Sequence, residues 1–190
     1  MSGFFWNVRG LNKSVKHSVI KKWVEEGNFG FGCLIETKVK EEKATKLAGD
    51  IFSGWSVLTN YEYNHLGRIW VVWKSNVRLT PFFKSSQVIT CSVKLAEMEE
   101  EIFCSFIYAS NLLEERKELW RDLCDHHNSH IIGSKPWIIF GDFNDTLDMD
   151  EHSKFEDSPM VTEGMRRFQN MVNQCSLVDM SHHGPLYTWS

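Results

Sequence analysis

The sequence WIIFGDFN at residues 137–144 is an apolar run that ends in a glycine, a carboxylate and an amide. We predict a strand over Trp137–Phe143, with Asp142 and Asn144 on the same side because side chains two residues apart share a face. Gly141 permits close backbone approach. A carboxylate and an amide so placed can orient a water molecule and donate to a phosphoryl oxygen. The alternative is a turn that closes the strand, since Gly, Asp and Asn all favour turns.

Further apolar, β-branched and aromatic runs surround this stretch along the chain. They predict strands at Phe4–Val8, Gly32–Thr37, Trp55–Asn60, Arg68–Trp73, Gln87–Leu95, Glu101–Ser110 and Leu186–Trp189. Many strands and few helices indicate stacked sheets. The sequence has no internal repeat and no Pro/Gly/Ser-rich linker, so we predict one domain over residues 1–190.

Three segments have a helical period instead. The first, about Ser14–Glu26, ends before Gly27. Its predicted apolar face consists of Val15, Val19, Ile20, Trp23 and Val24. Its predicted solvent side carries Lys16, Lys21 and Lys22. The second, about Leu112–His127, is expected to turn Leu112, Leu119, Trp120, Leu123 and Cys124 inward. The third, about Glu163–Cys175, has Met165, Phe168, Met171, Val172 and Cys175 on one face, and Thr162 is its predicted N-cap.

Composition sets the broad class. The 190 residues are 42% hydrophobic and 24% charged with a net charge of −4, which indicates a globular chain and gives no bulk electrostatic sign of nucleic-acid binding. A basic rim for DNA need only be local. The chain has no signal peptide and no apolar run of the roughly 18–20 residues that would span a bilayer, so we predict an intracellular protein. Five widely spaced cysteines without a CxxC pair are predicted to be reduced core residues.

Four polar groups lie at or just beyond the ends of apolar strands: Asn7, Glu36, Tyr108 with Asn111, and Asp142 with Asn144. Glu36 offers the hard oxygen that Mg²⁺ prefers, but it can instead be a strand-end residue paired with Lys38. Tyr108 can donate to a phosphate, although a strand Tyr is often a core residue with a wet tip. Asn111 precedes Glu114 by three positions, a pattern close to a capping box, and a helix N-terminus is itself an anion site. Asn7 closes the first strand within WNVRGLN.

Four motifs taken together are more specific than any one of them. WNVRGLN, LIETK, IYASN and GDFND occur in the order and approximate spacing of the endonuclease/exonuclease/phosphatase superfamily, which the chain resembles over essentially all of its length. MSGFFWNVRGLNK, GRIWVVWKSN, PWIIFGDFND, EHSKFE, EGMRRFQ and SLVDM with GPLYTWS look like the endonuclease domains of plant LINE-type (non-LTR) retrotransposons.

The resemblance implies an α/β (α+β) fold, a DNase I-like four-layer sandwich of two packed mixed or antiparallel sheets flanked by helices. It also implies Mg²⁺- or Mn²⁺-dependent phosphodiester hydrolysis, with DNA nicked for retroelement integration. By that resemblance Glu36 binds the metal, Asn7 organises its surroundings and Asp142 positions or activates the attacking water. Asn144, Tyr108 and Asn111 contact the phosphate. The implied setting is a nuclear, monomeric domain fused to a reverse transcriptase.

One departure from the family pattern leaves an alternative open. Family members continue into further strands with an LDR-like Asp and a terminal SDH motif, so the resemblance leads us to expect a domain incomplete at its C-terminus and lacking the last strands. His182 and His183 do not replace SDH, because no Asp orients them. The acidic residues Asp148, Asp150, Glu151, Glu156 and Asp157, with His152, are interpreted as a solvated loop. The alternative function is an inactive retroelement remnant that keeps the fold and weak metal or nucleic-acid binding.

Overall fold

The computed structural model describes residues 2–148 and 161–180 of the chain. These residues form two compact units. The first contains the described residues up to Ala109 together with Ser134–Asp142, and the second contains Ser110–Gly133 and the described residues from Phe143 onward. None of the helices in the described ranges is long and apolar enough to cross a bilayer.

The first unit contains two four-stranded mixed sheets. Sheet one has the order β1-β2-β4-β3, with β1 parallel to β2 and the other pairs antiparallel. Its strands are β1 Ser2–Asn7, β2 Phe29–Ile35, β3 Ser56–Thr59 and β4 Ile69–Trp73. Sheet two has the order β5-β6-β7-β8, with only β7 and β8 parallel. Its strands are β5 Val77–Lys84, β6 Val88–Leu95, β7 Ile102–Tyr108 and β8 Trp137–Asp142.

Sheet one is buried on both faces because its side chains alternate between two cores. Cys33 and Ile35 of β2 lie in the core shared with sheet two, whereas Leu34 lies in a core shared with helices α1 Ser14–Glu26 and α2 Glu41–Ile51. Gly32 also turns toward the helices, and a Cβ there would lie 2.3 Å from Cδ1 of Phe4. Only glycine therefore allows the Phe4 ring to cross β2.

The helix α1 has the bounds that we predicted, but its buried face is narrower. Ile20 and Val24 are buried, whereas Val15 is 75% exposed and Val19 is 53% exposed. Lys16 does not lie free on the solvent side, because its ammonium donates to three backbone carbonyls of residues 8–10. Both α1 and α2 cover this face of sheet one, so α1 needs to bury only Ile20 and Val24 against it.

Two elements of the first unit were not predicted. The helix α2 buries only Ala44, Ala48 and Ile51, and with two alanines among these three residues its apolar signal in the sequence is weak. The strand β5 contains Pro81, which argues against a strand in the middle of a sheet. Pro81 is accommodated because β5 is an edge strand and its register shifts between Pro81 and Phe83.

The second unit contains the two remaining helices, α3 Leu113–Asn128 and α4 Glu163–Gln174. Leu119, Trp120 and Leu123 of α3 are buried as predicted, but Leu112 is 61% exposed because it precedes the helix. The predicted cap of α4 is confirmed, since the Thr162 hydroxyl accepts a hydrogen bond from the Met165 amide at 3.1 Å. The predicted core residues of α4 are buried or half-buried.

The predicted fold class, two mixed sheets with flanking helices, is confirmed. All five cysteines are free thiols, four of them buried and Cys124 half-buried. The predicted strand Leu186–Trp189, His182, His183 and the acidic segment from Asp150 to Asp157 with His152 lie outside the described residues. Asp148 is described and exposed, as expected of a solvated loop.

Candidate active site

Asn7 and Asp142 meet at one end of the two sheets of the first unit. Asn7 is the last residue of β1 and Asp142 is the last residue of β8, and each strand stands at one end of its sheet order among the described residues. The Asn7 Nδ2 donates to the Asp142 Oδ2 at 2.9 Å, across 135 positions of sequence. The Asn7 Oδ1 accepts from the Arg9 amide at 3.0 Å. Both hydrogen bonds fix the orientation of the Asn7 amide, which in turn holds the carboxylate.

Tyr108 lies beside this pair because of strand register. It ends β7, which runs parallel to β8, and it is the register partner of Asp142. Burial raises the pKa of the Tyr108 phenol above its ordinary value, and the carboxylates of Glu36 and then Asp142 raise it further, while Arg68 and Lys38 lower it. The raised pKa extends the pH range over which the phenol keeps its proton and can donate a hydrogen bond.

Glu36 follows β2 in a strained local backbone. Its φ is +57° and that of Lys38 is +54°, both in the left-handed region that few non-glycine residues adopt. The Glu36 Oε1 forms an ion pair with the Lys38 Nζ, and the Glu36 side chain is only 14% exposed. The alternative pairing that we considered is thus present, but in a half-buried position. Such strain is often found at functional sites.

Arg68 is a member of this group that sequence reasoning missed. Its Nη1 donates to the Tyr108 hydroxyl at 3.5 Å, and its guanidinium carbon lies 5.4 Å from the centre of the Tyr108 ring. Its Nε is buried and has no hydrogen-bond partner in the described part of the chain. The available signal was a cation directly before the apolar strand β4, whose first residue Ile69 pairs with Ile35. That register brings Arg68 beside Glu36.

The second unit contains the two remaining predicted site residues. Asn111 is exposed and does not cap α3, because the N-cap position is Leu112 and makes no side-chain cap. The Ser110 hydroxyl instead accepts from the Leu112 amide at 3.1 Å. Asn144 has a φ of +48°, so it does not continue the alternation of β8, which ends at Asp142. The shared side predicted for Asp142 and Asn144 therefore does not follow from strand geometry.

The donor chemistry of the first unit fits a hard divalent cation. Glu36, Asn7 and Asp142 offer carboxylate and amide oxygens, and Mg²⁺ needs only one or two protein carboxylates because it keeps several waters. No group of three or more His, Cys, Asp or Glu placed to hold a metal occurs in residues 2–148 and 161–180. A softer ion such as Zn²⁺, which favours such groups, has no comparable ligand set in these ranges.

Comparison with known proteins extends these observations. The family model described as "Endonuclease/Exonuclease/phosphatase family" matches residues 4–189. No curated protein sequence matches the chain. Among solved structures, the endonuclease domain of TRAS1, a telomere-specific non-LTR retrotransposon, is similar with a TM-score of 0.62 and 11% identity over 90% of this chain and 70% of that one.

Two further structures have the same fold. The AP endonuclease LMAP from Leishmania major matches with a TM-score of 0.61 and 18% identity, covering 90% of this chain and 66% of that one. The TDP2 of D. rerio complexed with a single-strand DNA product matches with a TM-score of 0.54 and 12% identity, covering 75% and 60%. The chain thus spans about two thirds of the length of these relatives. With the family model matching nearly its whole length, the chain belongs to the endonuclease/exonuclease/phosphatase family.

Proposed function

We propose that the protein is a Mg²⁺- or Mn²⁺-dependent endonuclease that hydrolyses a phosphodiester bond of DNA. The observation that carries the proposal is the 2.9 Å hydrogen bond between Asn7 and Asp142, which joins the first and fourth sequence motifs at the end of the sheets. Membership of a family of phosphoester hydrolases gives the reaction class. The residues around this bond supply the polar groups that such a reaction requires.

The metal would be held by Glu36, with Asn7 organising its surroundings. When bound, the ion neutralises charge that develops on the phosphoryl oxygens. The partly enclosed Glu36 carboxylate supports this role, because a shielded charge interacts more strongly with a cation than a solvated one does. Lys38 already neutralises one oxygen of Glu36, and a carboxylate has a second oxygen for another partner.

The other residues would bind and orient the reactants. Asp142 accepts from Asn7 and would in turn accept a hydrogen from the attacking water, directing a lone pair at phosphorus. The Tyr108 phenol, whose pKa is raised by burial, would donate to a phosphate oxygen. Arg68 holds the phenol by its hydrogen bond and its position over the ring. Asn144 and Asn111 are proposed as further phosphate contacts on their motifs alone.

A basic rim supports DNA as the substrate despite the net charge of −4. The loop after β1 and the loop after β2 run side by side, with Gly10 donating to Glu36 and Leu11 to Thr37 at 2.7 and 2.8 Å. These loops expose four cations, Arg9, Lys13, Lys38 and Lys40. Cations clustered beside the Asn7 and Glu36 motifs would bind backbone phosphates, which the two carboxylates alone would repel.

The biological setting is part of the proposal. The sequence motifs resemble those of plant LINE-type elements, and one structural relative is the endonuclease domain of a non-LTR retrotransposon. We therefore propose a monomeric nuclear domain that nicks target DNA and is joined to a reverse transcriptase in its parent element. We also propose that the two compact units belong to one domain, because the family model spans both.

The test is a supercoiled-plasmid nicking assay with Mg²⁺ on the protein and two variants, Asp142→Ala and Glu36→Gln. We expect both variants to lose about 10²-fold or more in rate, the scale of a missing acid–base or charge-stabilising group. Glu62→Gln is the matched control, because Glu62 is also a lysine-paired acid of the first unit but is 60% exposed. Its rate should match that of the unsubstituted protein.

Calorimetric titration with Mn²⁺ separates the two candidate functions. An endonuclease should bind the ion and nick, with Glu36→Gln weakening both. Binding of metal or DNA without any nicking would favour the inactive remnant. Equal nicking by all four proteins would show that the machinery lies elsewhere in the chain.

A further inference from the structure

The turn after β8 is anchored on both sides of Asn144 within the second unit. The Phe143 ring packs against the Phe168 ring at 4.7 Å and the Trp120 ring at 6.1 Å between centroids. Asp145 forms an ion pair with Arg116 of α3, with the Nη2 and Oδ2 atoms 2.8 Å apart. The left-handed Asn144 thus lies between an aromatic anchor and an ionic anchor, one residue from each.

The ionic anchor is unusually well enclosed. The side chains of Arg116 and Asp145 are 7% and 10% exposed, whereas every other ion pair with both partners in the described residues has at least one side chain more than 40% exposed. Arg116 also donates to the Ser110 carbonyl at 2.9 Å, and the second Asp145 oxygen accepts from the Thr146 amide at 3.2 Å. The Arg116 Nε makes no hydrogen bond within the described ranges.

Burial of such a pair calls for an explanation other than stability. Removing two charges from water costs roughly as much as their attraction returns, so packed apolar residues would hold the same space at least as well. A bidentate or forked guanidinium does, however, fix direction, because its N–H groups point along set lines. Arg116 uses two of them to fix the Ser110 carbonyl and the Asp145 carboxylate at once.

The helix α4 is shaped to admit the Asp145 carboxylate. Gly164 is the second residue of α4, and a Cβ there would lie 2.2 Å from the Asp145 Oδ2. Glycine is a poor helix former, so its presence in the first turn serves this close approach rather than the helix. The N-terminal end of a helix is also the end that favours a nearby negative charge.

We propose that Arg116 and Asp145 are positioning residues that hold the Asn144 amide in one orientation for its phosphate contact. This inference rests on the proposed function, because it assigns a purpose to the orientation of Asn144. Neither Arg116 nor Asp145 touches the substrate. Their effect on catalysis passes through the Phe143–Thr146 turn.

The test is a double-mutant cycle on the nicking rate, with each variant studied at a temperature where circular dichroism shows it folded. Asp145→Asn should lower kcat by about 10²-fold, the scale of a small misplacement of a catalytic group, with little change in KM. Asn144→Asp removes the amide donor but tolerates the left-handed backbone. In the Asn144→Asp background, Asp145→Asn should change kcat by no more than about twofold, the scatter found for additive sites.

Two further variants keep the inference testable if Asp145→Asn fails to fold. Gly164→Ala leaves both charged residues in place and displaces the carboxylate, so it should reproduce the kcat loss and its dependence on Asn144. Arg166→Gln is the control, because it breaks an exposed ion pair of the same helix, and it should leave kcat unchanged. Multiplicative losses in the double variants, or an unchanged kcat in Asp145→Asn, would overturn the positioning role.

A readout that needs no activity separates this inference from the proposed function. The Asn144 side-chain amide should give one sharp pair of ¹⁵N-correlated resonances in the unsubstituted protein, and Gly164→Ala and Asp145→Asn should shift or broaden that pair while Arg166→Gln does not. If the protein does not nick DNA but these changes occur, the proposed function fails and the fixed orientation stands. Unchanged Asn144 resonances in both variants would overturn the inference, whatever the nicking rate.

Discussion

Replacing Lys16 with methionine removes one ammonium group that holds the loop following β1. Its Nζ donates to the Val8, Arg9 and Gly10 carbonyls at 2.6, 3.1 and 3.0 Å. These are the three residues directly after Asn7, so the loop enters the candidate site from this clamp. Methionine keeps most of the aliphatic stem, and the change therefore isolates the charged head.

The expected loss of stability follows from these three contacts. A hydrogen bond to a charged group contributes about 1.5–3 kcal/mol when it is well shielded. Lys16 is half-buried, and its three hydrogen bonds share one desolvated cation. Water can also reach part of the released carbonyls. We therefore expect Lys16→Met to lower the free energy of unfolding by about 2–3 kcal/mol in total, which is less than three full contributions. Lys22→Met is the control, because the Lys22 side chain is 76% exposed and its Nζ lies 3.8 Å from the Glu26 Oε1. This variant should lower the free energy of unfolding by less than about 0.5 kcal/mol.

Urea unfolding followed by tryptophan fluorescence measures both variants. With a slope of about 2 kcal/mol per molar, the Lys16→Met midpoint should fall by about 1 M and the Lys22→Met midpoint should not move measurably. Hydrogen exchange at the Gly10 and Leu11 amides should also accelerate in Lys16→Met only, because both amides bond across to the β2 loop. Equal unfolding midpoints for the two variants would refute the proposed stabilisation of the loop after β1 by Lys16.

Three further predictions concern other groups. Tyr108→Phe should lower the nicking rate about tenfold, which corresponds to the loss of one hydrogen bond. The pKa of the phenol is raised in the folded state, so its contribution to stability is present below the ordinary pKa and is lost as the pH rises through the folded value. Urea titrations between pH 9 and strongly alkaline pH should therefore show the stability of the unsubstituted protein falling relative to that of Tyr108→Phe. Burial, with Asp125 and Glu118 nearby, raises the pKa of Asp122 to about 6. Asp122→Asn should therefore raise the free energy of unfolding at pH 7 but not near pH 3, where the carboxyl is protonated in both the folded and the unfolded state. An equal gain in the free energy of unfolding at the two pH values would contradict this cause. Thr162→Ala should cost about 1 kcal/mol by removing the cap of α4, and Thr162→Ser should restore most of it; a loss shared equally by both would point to the methyl group rather than the hydroxyl.

Local sequence patterns located most of the elements because their signals are contained in a few residues. Strand alternation and apolar runs gave seven described strands to within a few residues, and the period of Ser14–Glu26 gave the bounds of α1. The same patterns failed where burial is small or shared. The helix α2 buries alanines, and β5 tolerates a proline only because it lies at a sheet edge.

The sequence by itself determined which residues end strands, and hence the candidates Asn7, Glu36, Tyr108 and Asp142. It could not determine their mutual distances, because these depend on how two sheets pack and on the register of β7 with β8. Only the tertiary structure joined Asn7 to Asp142, brought Arg68 to Tyr108 and gave Lys16 a loop to hold. It also moved the cap of α3 away from Asn111 and buried Asp145 against Arg116. The physical reason is that strand and helix periodicity arise from neighbours in the chain, whereas hydrogen bonds and ion pairs between distant side chains arise from packing.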